Sequence, residues 1–388
     1  RLFYDTDSLP EDKLQEVKKA SRAAGKDMEF GYVMDHLTEE RERGITIDTA
    51  QAFFTTEARD YVIIDAPGHK EFLKNMITGA SQADAAILIC SAYEGIEEQT
   101  HRHAYLLKLL GLDQTIVAYN KMDLVGYDQH RYEEVREDLR ELLGRLDVRP
   151  ALEIPMSAKL GDNVAGRSGN MPWYEGPTVL KALDSFTKAA DPIDKPVRFP
   201  VQDVYVRDGN SVVVGRVESG TLRTGDELTF LPPGKPRTVN QIMKYQEEGL
   251  SEAPCGECVG VILDRNGVER GWVGCPPDRA PCPTTSVKAN VFWLVPEPLR
   301  PGEDLTLKCA TQEHPCRVET IAERIDSGTL QHLEGASDRL EETEVAEVSI
   351  TTDEKVVVEP FSEVPELGRF VLTRGQDVVA GGIVADRS

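Results

Sequence analysis

Tyr61-Val62-Ile63-Ile64-Asp65-Ala66-Pro67-Gly68-His69 is the stretch on which the fold turns. An apolar run this short reads as a buried strand. It stops at a carboxylate and passes into Pro and Gly, which open a loop. In open α/β sheets, ligands gather just past the carboxyl ends of strands. An Asp at that point can hold Mg²⁺ through water, and the Gly68 amide can meet a terminal phosphate. His69 is placed to orient a water for attack. The rival reading is a plain strand-to-loop turn around a buried Asp.

The neighbouring text has the same grammar. Apolar runs recur at Ala85–Cys90, Gln114–Ala118 and Ala151–Ile154, with helical patterns between them. Val135, Leu139, Leu142, Leu143 and Leu146 fall on one helical face. Strand, helix, strand at this spacing predicts an α/β domain with a mostly parallel sheet. The chain opens on Arg1 and on a helix, with Ser8 and Glu11 as a capping box, Pro10 in the first turn and Gly25 as a stop.

Two further strands end in chemistry. After Gln114–Ala118 comes Asn120-Lys121-Met122-Asp123. A carboxylate there can accept both N1–H and the 2-amino group of guanine, which adenine does not offer. Asn120 ties loop to base, and the Lys121 stem packs over the purine. The next strand ends in Ser157-Ala158-Lys159, where a backbone amide can reach guanine O6. Upstream, Arg41-Glu42-Arg43-Gly44-Ile45-Thr46-Ile47-Asp48 offers the Thr46 hydroxyl to Mg²⁺, on a segment of the kind that orders with a triphosphate. Its bland reading is a charged solvated helix, Glu39 to Arg43, ending at Gly44. Each motif alone is a short word; three in order, each after a strand, make a site.

From Asp191-Pro192-Ile193-Asp194-Lys195-Pro196 the helical period stops, and the two prolines mark a linker. Short strands at Val212–Val217, Glu227–Phe230 and Cys258–Leu263 predict an antiparallel barrel. The prolines from Pro276 to Pro283 close it. Strands at Val287–Leu294, Leu305–Cys309, Val345–Ile350, Val356–Val358, Phe370–Leu372 and Val378–Val384 predict a second. The expected domains are 1–190, 191–283 and 284–388.

Composition narrows the class. The 388 residues carry 67 acidic and 44 basic side chains, a formal charge of −23, which disfavours non-specific nucleic-acid and anionic-membrane binding. No apolar run reaches the roughly 20 residues of a membrane span, so a cytoplasmic protein is expected. Seven cysteines fit a reducing compartment. Cys255, Cys258, Cys275 and Cys282 pose a metal question, with the second pair spaced wider than zinc sites use.

D-A-P-G-H, N-K-M-D, S-A-K, R-G-I-T-I-D and Gly79-Ala80-Ser81-Gln82-Ala83-Asp84 together resemble the elongation factor 1A/Tu superfamily of translational GTPases. The likeness runs through the barrels, in Arg198-Phe199-Pro200-Val201-Gln202-Asp203-Val204-Tyr205 and Gly368-Arg369-Phe370. It implies GTP and Mg²⁺ as cofactors, with Thr46 and Asp65 at the metal, Gly68 at the γ-phosphate and His69 as the catalytic residue. It also implies Asn120, Lys121, Asp123, Ser157, Ala158 and Lys159 around guanine. The family's G-x-x-x-x-G-K-[ST] loop is not among the 388 residues. The expectation is a sheet short of its phosphate-binding strand, with that segment upstream in the natural protein.

Within the superfamily, three words resemble the large subunit of bacterial sulfate adenylyltransferase: Gln99-Thr100-His101-Arg102-His103, Asn170-Met171-Pro172-Trp173-Tyr174-Glu175-Gly176-Pro177-Thr178, and Phe292-Trp293-Leu294 with Pro298-Leu299-Arg300-Pro301-Gly302. This resemblance implies a regulatory GTPase paired with a smaller catalytic subunit that makes adenylyl sulfate from ATP and sulfate, with no nucleic acid as partner. The alternative is an elongation factor delivering aminoacyl-tRNA. The bland reading of the Trp and Phe words is core packing.

Overall fold

The computed structural model describes residues 1–9, 11–23, 50–66, 76, 83–112, 114–187, 192–207, 210–244, 247–333 and 338–385. Thr46, Gly68 and His69 lie outside these residues, as do Gly25 and the Glu39–Arg43 segment. The chain divides into two compact units, residues 1–188 with 327–330, and 189–326 with 331–388.

In the first unit the short runs are strands: β1 Ala50–Thr55, β2 Asp60–Asp65, β3 Ala86–Ser91, β4 Thr115–Asn120 and β5 Leu152–Pro155. The helices are α1 Leu2–Asp5, α2 Glu11–Ala23, α3 Glu98–Leu109, α4 Gln129–Arg145 and α5 Val179–Asp184. β3, β4 and β5 pair in parallel, Ala118 standing opposite Ile89 and Ile154. β4 is the central strand, and Thr115 to Tyr119 are all buried, as a parallel strand covered on both faces must be. On α4, Val135, Leu139, Leu142 and Leu143 are buried together, which is the face predicted.

β1 and β2 form a separate antiparallel pair. Phe54 and the part-buried Tyr61 and Ile63 nevertheless share one core cluster with Ile116, Ala118 and Ile154. Among the described strands, β2 pairs only with β1 and β3 only with β4. Val62 and Ile89 stay exposed.

The second unit holds two antiparallel barrels. The first is built from β6 Phe199–Arg207, β7 Asn210–Arg216, β8 Thr221–Arg223, β9 Glu227–Leu231, β10 Lys235–Lys244, β11 Glu247–Leu250, β12 Glu252–Pro254, β13 Cys258–Leu263 and β14 Val273–Cys275. Pairing runs β10-β13-β7-β6-β14-β9 and returns from β9 to β10, a six-stranded ring with β11 added at β10. Gly215 is required where β7 runs close against β6. A Cβ there would lie 2.3 Å from the Pro200 carbonyl oxygen.

The second barrel is β15 Thr284–Trp293, β16 Glu303–Cys309, β17 Gln312–Asp326, β18 Glu344–Val356, β19 Arg369–Arg374 and β20 Asp377–Val384, closed in the order β15-β18-β17-β16-β19-β20. Its core is Val- and Leu-rich with Trp293 fully enclosed. Buried Gln312 acts as a strand in miniature, donating Nε2 to the Val357 carbonyl and accepting from the Val357 amide, both at 2.8 Å.

The barrels join through Arg198, just before β6, and Glu359, just after β18. Nε and Nη2 donate to the two carboxylate oxygens at 2.5 and 2.8 Å. Both residues are about 5% exposed or less, beside a patch of Leu231, Val273, Val357 and Leu367.

The cysteines do not gather. Cys255 Sγ donates to the Glu218 carbonyl at 3.1 Å and Cys275 Sγ to the Thr229 carbonyl at 3.3 Å, while Cys258 and Cys282 are exposed. Among the described residues no group of three or more His, Cys, Asp or Glu side chains is placed to hold a metal ion. Burial pushes the Cys275 thiol up to about 11.

Candidate nucleotide-binding site

β4 delivers Asn120 to the edge of the sheet, and the chain turns at once. Lys121 adopts a left-handed backbone, φ 64°, unusual for a side chain with a Cβ, and opens a 3₁₀ turn over Met122–Val125. Buried Met122 and its amide, bonded to the Met156 carbonyl at 3.2 Å, anchor this turn to the loop after β5. The two sequence words thereby become one structure. The Ala158 amide donates to Asn120 Oδ1 at 2.9 Å, and Ser157 Oγ donates to Asp123 Oδ1 at 2.7 Å.

Polar groups are left over here. Asp123 Oδ2 accepts no hydrogen bond among the described residues, and the Lys159 amide donates none. Asp123 and Asn120 are partly exposed, and Lys159 is exposed. A carboxylate oxygen beside a free backbone donor matches the two donors and one acceptor that guanine shows on its pairing edge. The residues therefore fit a guanine nucleotide.

Loops on either side brace the turn. On the first, the Ala92 amide donates to the Asn120 carbonyl at 2.8 Å, and Arg131 of α4 reaches the Ala92 and Tyr93 carbonyls at 2.9 and 3.2 Å. Lys121 Nζ meets both carboxylate oxygens of Glu94 at 2.9 Å. On the other, Tyr127 donates to Asp162 Oδ2 at 2.9 Å, and Trp173 Nε1 donates to the Tyr127 carbonyl at 3.2 Å. Burial and then the Asp162 bond push the Tyr127 phenol up. Buried Asn163 fixes the same loop, donating to the Pro155 carbonyl and accepting from the Ser168 amide, both at 2.9 Å.

Below the turn, Tyr119 donates to Glu153 Oε1 at 3.0 Å, and Arg136 and Arg140 reach Oε2 at 3.3 and 2.8 Å. This network pins β4, β5 and α4 to one another. Desolvation raises the Tyr119 phenol far above its ordinary range, so it stays a donor.

Asp65 closes β2, partly buried, as the sequence placed it. An Asp oxygen suits Mg²⁺, a hard cation that takes oxygen ligands. Of the predicted residues, the structure brings together Asn120, Lys121, Asp123, Ser157, Ala158 and Lys159. Sequence reading missed Glu94, Tyr127, Asp162 and Asn163, whose roles depend on contacts between distant loops. Glu94 carried one usable signal, the following Gly95, which adopts φ 83°.

A parallel sheet whose strand ends fit guanine, in a chain that goes on to two antiparallel barrels, matches the translational GTPase class. Residues 1–192 match the elongation factor Tu GTP binding domain, and residues 286–385 match the GTP-eEF1A C-terminal domain-like family. Elongation factor 1-alpha of Methanopyrus kandleri is 41% identical over 98% of this chain and 92% of its own length. The Halobacterium salinarum and Thermoplasma acidophilum proteins of that name are 39% and 41% identical, over 99% and 98% of this chain and 93% and 92% of theirs. The solved structure of sup35 complexed with GDP covers 100% of this chain, itself covered to 89%, at 24% identity and a TM-score of 0.49. The chain belongs to the elongation factor Tu/1-alpha family, whose members are GTPases that bind GTP with Mg²⁺.

These findings overturn the sulfate adenylyltransferase reading and its small catalytic subunit. The full-length relatives are elongation factors. The words that carried that reading are structural. Thr100 closes the α3 capping box and Arg102 pairs with Glu98 one turn away. Met171, Phe292 and Trp293 are enclosed in their cores. The expectation of no nucleic-acid partner falls with it. Net charge is a property of the whole chain, whereas an RNA contact senses charges within a screening length of roughly 8 Å.

Proposed function

We propose that this protein is a cytoplasmic translation elongation GTPase that carries aminoacyl-tRNA in its GTP form. The observation that supports it most is the base-reading pair of loops, Asn120 with Ala158 and Asp123 with Ser157, in a chain similar along its length to proteins named elongation factor 1-alpha. In this reading Asp123 accepts from guanine N1–H and the 2-amino group, the Lys159 amide faces O6, and the Lys121 stem covers the purine. Asp65 and Thr46 hold Mg²⁺, which neutralises charge on the phosphates when bound. The Gly68 amide meets the γ-phosphate and His69 orients the attacking water. The functional domains are 1–190, 191–283 and 284–388.

An acidic carrier of RNA needs a local cationic face. The barrel unit has a cleft of about 750 Å³ whose wall carries Arg207, Arg216 and Lys244 beside exposed Tyr205, with Arg216 facing Glu218 and Lys244 paired to Glu257. Cations with an aromatic surface suit the end of a single-stranded RNA.

The test is protection of the aminoacyl ester. Full-length protein loaded with GTP should slow spontaneous deacylation of aminoacyl-tRNA, and the same protein loaded with GDP should not. Equal deacylation rates with and without the GTP form would overturn the carrier reading.

A further inference from the structure

We propose that Glu94 is a positioning residue for the guanine base, acting through Lys121. The inference rests on the nucleotide site above. Lys121 is a long, flexible side chain on a backbone held in the left-handed region. A solvated lysine there samples many rotamers, and covering a purine requires one. Glu94 supplies the constraint. Both its oxygens take the Lys121 ammonium at 2.9 Å, fixing the far end of the stem while the backbone fixes the near end.

Glu94 is itself fixed. Its amide donates to Ser91 Oγ at 3.1 Å, and the Gly95 amide donates to the Ser91 carbonyl at 2.8 Å, closing a turn that Gly95 permits with φ 83°. The Ser91 hydroxyl, then the Lys121 ammonium, hold the Glu94 carboxyl below its ordinary value. Arg131 clamps the carbonyls just before it.

Stability does not explain this arrangement. Lys121 and Glu94 are 44% and 38% exposed, and exposed pairs contribute little to folding. What the pair does supply is order in the free site, so that binding does not have to freeze the lysine. Pre-ordering of this kind acts mainly on release rather than encounter.

The experiment follows release of N-methylanthraniloyl-GDP from the full-length protein by stopped flow. Glu94→Gln keeps the shape and removes the charge. It should speed release roughly 1.5- to fivefold and leave association unchanged. In a Lys121→Met background, which keeps an apolar stem without the ammonium, Glu94→Gln should add nothing. Unchanged release, or the same acceleration in the Lys121→Met background, would overturn the inference, since Glu94 would then act on the loop itself. Asp123→Asn run alongside separates the two levels. If it shifts preference from GDP to xanthosine diphosphate while Glu94→Gln is silent, only this inference falls. If the preference does not move, the base-reading assignment falls and takes this inference with it.

Discussion

Glu94 and Lys121 meet at the surface of the nucleotide-site unit, whereas Arg198 and Glu359 meet where the two barrels join. Both are carboxylate–cation pairs gripped through two contacts. The first is more than a third exposed on each side and the second about a twentieth. In water the attraction is largely offset by hydration and screening, so the surface pair contributes about 0.2–1 kcal/mol and its use is orientation. Away from water, attraction competes with a large desolvation cost, and the buried pair matters chiefly because breaking it strands a charge. The difference teaches where this molecule spends its polar groups. At the barrel junction each partner is matched, while the turn proposed to read guanine keeps Asp123 Oδ2 and the Lys159 amide unpaired among the described residues.

The largest expected effect breaks the buried side of that comparison. Glu359→Ala should destabilise the barrel unit by about 3–5 kcal/mol, read as a lower urea midpoint. Replacing both partners, Arg198→Met with Glu359→Leu, should restore most of the loss. A single substitution that leaves the midpoint unchanged would put the junction in the same class as the surface pair.

Next comes the unpaired oxygen. Asp123→Asn should weaken GDP roughly a hundredfold relative to xanthosine diphosphate, whose 2-oxo group prefers a donor. Competition binding gives that ratio directly, and a ratio near that of the parent protein would mean that Asp123 does not face the base. The smallest effect sharpens the comparison from the bracing loop. Tyr127→Phe removes one partly exposed bond to Asp162, which keeps its contacts with Ser168 and Asn170 at 2.5 and 3.2 Å. It should cost about 1 kcal/mol in thermal unfolding of the nucleotide-site unit and preserve guanine preference.

Legibility in the sequence followed periodicity. β4 and α4 were readable because Ile116 to Tyr119 form a continuous buried run and Val135, Leu139 and Leu142 recur at helical spacing. That the Asn120–Asp123 and Ser157–Lys159 words would meet was readable because they sit at strand ends, where chain direction alone brings them together. β10 and β17 were missed. In β17 the inward positions include Gln312, Pro315 sits within the strand, and the register slips near Val318 and again after Ala322, which erases strict alternation. β10 slips between Val239 and Gln241 and is polar at its start. The sulfate reading failed for a related reason. Enclosed aromatics such as Trp293 serve packing in a closed barrel whatever the protein does, so they carry little about its partner.

The Arg198–Glu359 junction also has a mechanical consequence. Two barrels riveted by a bidentate contact and an apolar patch respond to load as a single stiff beam rather than as beads on a string. A pull applied at the second barrel would be carried to the first through that contact.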